Sequence, residues 1–175
     1  MTTLFQFLKR QKQKNGSNHY VVAPRIFLVP NKTSNMLKKS LIYLDTAAFS
    51  LFLQGNDEVS RYIKNILIKV VKGEYHAVTS IITKLEIFSS INPQKNQTHI
   101  IRYNDFFRNL KYLSAINIDE NLVSLVSEFK QKYSLSLNES IHVATAIQSK
   151  ADYYISDSNK IKNITEVHVL GYHQL

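Results

Sequence analysis

The alternation of short apolar runs with stretches of helical periodicity constrains the fold of this chain most strongly. Leu41–Leu44 is almost wholly apolar, which is typical of a strand buried on both faces of a sheet. Similar short runs follow at residues 76–79, 114–118, 153–155 and 167–170. Strands that alternate with helices predict an α/β fold, a three-layer sandwich with helices on both faces of a central parallel sheet of four or five strands.

Helix signals fill the segments between these runs. Asp45 with Thr46, Ser80 and Asp119 each directly precede a stretch of helical character and can act as N-caps. A long helix that begins at residue 56 or 57 should end at Gly73, a natural left-handed residue. Helices are also predicted over residues 98–110 and 137–149. The helix after Ser80 should end at Asn92-Pro93, and its apolar positions are Ile81, Leu85 and Phe88.

The positive charge of the chain is concentrated at its N-terminus. The formal net charge is +9, and residues 1–40 contain eight Lys or Arg and no acid. Residues 41–175 contain 14 Lys or Arg and 13 acids. The sequence therefore predicts a basic N-terminal extension, residues 1–40, and one nearly neutral domain, residues 41–175. The extension either binds RNA or DNA phosphates or is a solvated segment, and the sequence leaves both readings open.

Composition excludes several classes of function. The chain has no cysteine, so disulfides, thiolate-bound zinc and a cysteine nucleophile are ruled out. No run of 18 apolar residues is present, so no membrane association is expected. The basic N-terminus is not followed by an apolar segment with a cleavage site, so a secretory signal is not expected. A cytoplasmic location fits these features.

Four acids are candidates for one site at the carboxyl edge of the sheet, where ligands bind in folds of this kind. Asp45 ends the first strand, and Asp157 follows the fourth by two residues. Glu86 lies on the helix after the second strand, and Glu139 lies in the first turn of the helix before the fourth. Clustered carboxylates repel one another unless a cation neutralises them, and oxygen ligands select Mg²⁺ or Mn²⁺.

Each of these acids also has a purely structural interpretation. Asp45 can simply cap the following helix, and Glu86 can face solvent. Glu139 completes an S-x-x-E capping box that begins at Ser136. Asp157 can be an ordinary loop residue. The spacing alone therefore does not establish a site.

The order of these motifs resembles the PIN-domain family, in particular its VapC-type toxins. The matching segments are Tyr43-Leu44-Asp45-Thr46, then Thr79-Ser80 with Leu85-Glu86, then Glu139 to Ala146, and finally Ala151 to Asp157. The resemblance covers roughly residues 40–170. It implies that Asp45, Glu86 and Glu139 surround one or two Mg²⁺ or Mn²⁺ ions that assist hydrolysis of an RNA phosphodiester. His142, which matches a common family residue, is interpreted as a packing or hydrogen-bonding residue rather than a general base.

Two departures from the family pattern concern the site. Glu139 stands where the family usually has Asp, and its longer side chain requires a shifted backbone or a different metal geometry. The fourth acid of the family normally follows T-x, whereas Ser158 is at that position here and Asp157 comes one residue earlier. Either Asp157 substitutes for the displaced acid, or Ser158 positions a water ligand. We expect Asp157 to act, because a carboxylate neutralises a cation and a hydroxyl does not.

The resemblance implies a metal-dependent endoribonuclease, the toxin of a type II toxin–antitoxin pair. Its substrate would be single-stranded or structured RNA, its partner a cognate antitoxin, and a homodimer is possible. Two alternatives stay open. One is a catalytically impaired domain that binds RNA or a protein, and the other is a PIN-like nuclease that acts on DNA.

Overall fold

The structure, a computed structural model, describes residues 40–54, 57–90 and 97–174. The predicted basic extension falls outside these residues except for its last position, and so does the predicted helix stop at Asn92-Pro93. None of the helices in the described segments is long and apolar enough to cross a membrane.

A five-stranded, wholly parallel sheet forms the centre of the described chain, which confirms the predicted α/β class. Its strand order is β3-β2-β1-β4-β5. The strands are β1 (Leu41–Leu44), β2 (His76–Ser80), β3 (Leu113–Ile116), β4 (Tyr153–Ile155) and β5 (Val169–Leu170). Since β1 pairs with β2 on one side and with β4 on the other, it is the central strand.

Both faces of β1 are buried, as its apolar run predicts. Ile42, Tyr43 and Leu44 are all fully buried. Side chains alternate along a strand, so Tyr43 points to one face and its two neighbours to the other. On the Tyr43 side lies a hydrophobic cluster that includes Leu122, Val126, Phe129, Val143, Ala144 and Tyr154.

Seven α-helices flank the sheet in the described segments. They are α1 (Thr46–Gln54), α2 (Glu58–Lys72), α3 (Ile81–Ser89), α4 (Gln97–Asn109), α5 (Glu120–Lys132), α6 (Leu137–Gln148) and α7 (Asn159–Lys162). The predicted N-caps Ser80 and Asp119 accept hydrogen bonds from the first turns of α3 and α5. The short helix α7 and the 3₁₀ turn Tyr172–Gln174 are not predicted from the sequence.

Helix α3 is oriented differently from its apolar pattern. Thr83 and Ile87 are its buried residues, whereas Leu85 is 66 % exposed. The buried hydroxyl of Thr83 explains the rotation, because it lies 2.7 Å from the hydroxyl oxygen of Thr79 on β2. Since Glu86 directly precedes buried Ile87, it is turned toward the protein rather than outward.

Gly73 ends α2 in the left-handed conformation, as predicted, with φ +72°. A Cβ atom at this position would lie 2.7 Å from the ring of Tyr112. Gly73→Ala should therefore destabilise the fold by about 1–2 kcal/mol from the backbone alone, with a further cost for moving the ring. Chemical unfolding in urea measures this difference. A variant as stable as the native protein would contradict the left-handed assignment.

Candidate metal centre

The carboxyl ends of β1, β2 and β4 bring the predicted acids to one edge of the sheet. Asp45 directly follows β1, Glu86 lies on the helix that continues from β2, and Asp157 follows β4 by two residues. Because the strands are parallel and adjacent, these ends share an edge. Glu139 reaches this region from the first turn of α6.

Asp45 is a buried carboxylate with only neutral hydrogen-bond donors. It is 8 % exposed. Its Oδ1 accepts a bond of 3.1 Å from the backbone N–H of Ala48, and its Oδ2 accepts a bond of 3.4 Å from the hydroxyl of Tyr154. Burial raises the pKa of Asp45, and the Ala48 bond and the nearby His142 ring oppose that rise. Asp45 therefore does cap α1, and it remains a costly buried charge that a cation would stabilise.

Glu86 is held by three neutral side chains. Thr46 donates a hydrogen bond to its Oε2, and Asn138 donates a bond of 2.6 Å to its Oε1. His142 Nε2 lies 3.2 Å from Oε2. The bond from His142 is the largest cause that lowers the pKa of Glu86 to about 2, with further contributions from Thr46 and Asn138. The carboxylate is thus ionised and fixed in one orientation.

His142 connects Glu86 to the interior of the sheet. Its Nδ1 lies 2.7 Å from the hydroxyl oxygen of Tyr43, while Nε2 faces Glu86 and, at 3.2 Å, Thr46 Oγ1. A carboxylate oxygen can only accept, so Nε2 must bear a proton, and in the neutral ring Nδ1 then accepts from Tyr43. The hydrogen-bonding role expected for His142 is confirmed.

Glu139 forms the capping box that its S-x-x-E motif predicts. Its Oε2 accepts a bond of 2.8 Å from the backbone N–H of Ser136, and the Ser136 hydroxyl accepts from the Glu139 backbone N–H at 3.3 Å. Lys160 Nζ on α7 lies 3.7 Å from the same carboxylate. These contacts, led by the Ser136 bond, lower the pKa of Glu139. Its side chain is therefore already engaged at the helix N-terminus.

Asp157 also has a lysine partner, because Lys162 Nζ lies 3.6 Å from its Oδ1. The charges of Asp157 and Asp45 both raise the pKa of buried Tyr172, after the larger effect of burial. Tyr172 is thus within electrostatic reach of both acids. Gly171 packs closely on Asp157, since a Cβ on that glycine would lie 2.7 Å from Asp157 Oδ1.

The structure brings Asp45 and Glu86 into one network and leaves Glu139 and Asp157 beside it, each paired with a lysine of α7. Asp45 and Glu86 both act on Tyr43, whose pKa is raised mainly by burial and further by these two charges. Within the described segments, no three acidic or histidine side chains converge closely enough to hold one ion by themselves. The donor set still fits Mg²⁺, which commonly binds one or two carboxylates and keeps several waters.

Several contributors to this region are not identified from the sequence. Asn138 is masked by its position inside the capping box, and Lys160 and Lys162 lie on a helix too short to be predicted. Tyr154 gives a weak signal, because a tyrosine within a buried strand requires a partner for its hydroxyl. That partner is Asp45.

The sequence model of the PIN domain matches residues 42–166, which is most of the chain. The chain therefore belongs to the PIN-domain family. No match is found among curated protein sequences.

Solved structures with the same fold include proteins of toxin–antitoxin systems. One is a toxin–antitoxin complex from Klebsiella pneumoniae, with a TM-score of 0.55 and 20 % identity, covering 78 % of this chain and 100 % of that one. VapBC2 from Rickettsia felis, bound to a DNA fragment from its promoter, has a TM-score of 0.60 and 16 % identity, with coverages of 75 % and 98 %. VapC20 from Mycobacterium tuberculosis, a sarcin-ricin loop cleaving toxin, has 0.55 and 12 %, with coverages of 74 % and 99 %.

Replacing His142 by Leu should raise the pKa of Glu86, because the largest stabilising bond to its carboxylate is removed. The folded-state pKa of about 2 lies below the ordinary value of 4.5, so Glu86 stabilises the fold above pH 4.5 and loses this contribution as pH falls toward 2. The variant should lose less stability over this window. Carboxyl ¹³C NMR titration measures the pKa, and urea unfolding measures the stability.

Glu166 is an internal control for this titration. Its pKa is also lowered to about 2, but by Lys132 and Tyr133, away from His142. It should titrate identically in both proteins. An unchanged Glu86 titration in the His142→Leu variant would show that His142 does not control this carboxylate.

Proposed function

We propose that this protein is a metal-dependent endoribonuclease. The observation that supports the proposal best is the pair Asp45 and Glu86, two carboxylates fixed by neutral donors at the carboxyl edge of a PIN domain. The pair is charged and uncompensated among the described residues, so it offers the environment that a hard divalent cation requires. Mg²⁺ or Mn²⁺ is the expected ion.

Each residue of the site has a distinct task in this proposal. Asp45 and Glu86 would hold the ion directly, and His142 and Asn138 would keep Glu86 in place. A bound divalent cation would stabilise the charge that develops on a phosphoryl group. Glu139 and Asp157 would complete the acidic edge, and Lys160 and Lys162 beside them would offer ammonium groups to the RNA phosphates. The basic segment 1–40 would add phosphate contacts.

We further propose that the protein is a VapC-type toxin held inactive by a cognate antitoxin in the cytoplasm. The fold likeness to toxin–antitoxin proteins supports this assignment. An antitoxin would have to cover the site or displace its ligands, and a homodimer is compatible with both. Co-expression with the adjacent gene, followed by purification through this chain, tests for a stable complex.

A second candidate function is binding of RNA or a protein without catalysis. The observation that favours it is the complete capping box of Glu139, which occupies a carboxylate that the family pattern uses at the metal site. Cleavage of DNA is a third possibility, since phosphodiester chemistry does not separate the two nucleic acids and only contacts to the 2′-hydroxyl do. Parallel assays on RNA and DNA of the same sequence distinguish these functions.

Asp45→Asn should reduce Mg²⁺- or Mn²⁺-dependent RNA cleavage by at least 100-fold, because the change keeps the size of the side chain and removes the negative charge that the ion needs. The fold should persist, since an amide oxygen can still accept from Ala48. A fluorescent RNA cleavage assay measures the loss, and EDTA should abolish the activity of the native protein.

Asp152→Asn is the matched control, because Asp152 precedes β4 at the opposite edge of the sheet, where its Oδ2 accepts from the Leu41 backbone N–H at 2.8 Å. Its cleavage rate should stay close to that of the native protein. If the native protein binds no metal and Asp45→Asn matches it in RNA assays, the binding-only function replaces the nuclease.

Asp157→Asn should weaken metal binding and cleavage by less than Asp45→Asn, since Asp157 is more exposed and already paired with Lys162. Gly171→Ala should have a similar, smaller effect, because the new methyl group would displace the Asp157 carboxylate without removing it. Ser158→Ala is the comparison that separates the two candidates for the fourth position. Cleavage rates and Mn²⁺ affinities of all three variants measure the ranking. A greater loss in Ser158→Ala would assign the fourth position to the serine.

A further inference from the structure

The four acids at the carboxyl edge divide into two pairs by the charge of their partners. Asp45 and Glu86 receive hydrogen bonds from neutral groups, namely Ala48, Tyr154, Thr46 and Asn138, and Glu86 also contacts the His142 ring. Glu139 and Asp157 each have an ammonium group within 4 Å, from Lys160 and Lys162. The first pair thus retains two negative charges, and the second pair is neutralised.

We propose that Lys160 and Lys162 take the place of a second metal ion, so that the chain binds a single divalent cation at Asp45 and Glu86. This inference rests on the proposed function and specifies its metal stoichiometry. One divalent cation balances the two charges of the inner pair. A second would have to displace two ammonium groups from Glu139 and Asp157 and also break the capping bond to Ser136.

Electrostatics makes this substitution effective even at the surface. The two lysine side chains are 62 % and 45 % exposed, so each ion pair alone contributes little to stability. Their effect on a second dication is larger, because an ammonium about 4 Å from a divalent ion weakens its binding by roughly tenfold or more even at the dielectric constant of water. Both lysines lie on the four-residue helix α7, directly after the β4 edge.

The inference has a consequence for how the site is activated. A cation that belongs to the chain is always present, whereas a metal must be loaded from solution. Cleavage should therefore depend on Mn²⁺ concentration with a Hill coefficient near one. Removing the lysines should make this dependence steeper, because a second ion then becomes necessary for full neutralisation.

The test is a Mn²⁺ binding isotherm on the full-length chain, with free Mn²⁺ measured by electron paramagnetic resonance. The native protein should bind one Mn²⁺, and a Lys160→Gln, Lys162→Gln double variant should bind a second. Adding Glu139→Gln and Asp157→Asn to the double variant should return the stoichiometry to one, which would assign the second ion to those two acids.

The control variant is Lys132→Gln, which breaks another exposed lysine–carboxylate pair, with Glu166. It should bind one Mn²⁺, like the native protein. Two ions in the native protein, or one ion in a folded double variant, would overturn the inference and leave the nuclease proposal intact. A native protein that binds no Mn²⁺ would overturn both. Thermal unfolding of each variant verifies that the substitutions leave the fold unchanged.

Discussion

The burial of the Asp45 carboxylate is the constraint on which the rest of the site depends. The central strand β1 is enclosed on both faces, so the residue that ends it cannot reach bulk water easily. The protein keeps a charge there by aiming an N–H of α1 and a tyrosine hydroxyl at it. These donors are neutral, so they solvate the charge without cancelling it. A site of this kind is poised for a cation from outside.

The second carboxylate is controlled in a different way. Glu86 is only partly buried, and its orientation comes from side chains on three separate elements, β1–α1, α3 and α6. Tyr43 and His142 link that orientation to the core of the sheet, because Tyr43 is fully buried. Packing on one face of β1 is thereby transmitted to a polar group at its edge.

The fold could be read from the sequence because its strongest signals are local. The run Leu41–Leu44 predicts a central strand with its observed bounds, and Gly73 ends α2 as its conformational freedom indicates. Helix α3 shows the limit of such patterns. Its exposed Leu85 and buried Thr83 are set by a hydroxyl contact with Thr79, which no periodicity records.

The candidate site was predictable to a smaller extent. The rule for parallel sheets selects Asp45 and Asp157, but Glu86 and Glu139 entered through the family resemblance, since spacing alone favours a structural role for both. The lysine partners are absent from any sequence pattern, because Lys160 meets Glu139 across 21 positions of the chain. Contacts of that kind depend on the path of a loop and not on local preference.

The first turn of α6 performs two tasks at once. Glu139 closes the helix N-terminus through Ser136, and the adjacent Asn138 holds Glu86. A ligand that draws Glu139 away from its cap must therefore loosen the start of the helix, and by thermodynamic linkage a loosened helix must bind that ligand differently. Amide hydrogen exchange at Ser136 would register occupancy of the site without any ligand contacting that amide. Helix fraying and ligand affinity are, at this turn, two measurements of the same equilibrium.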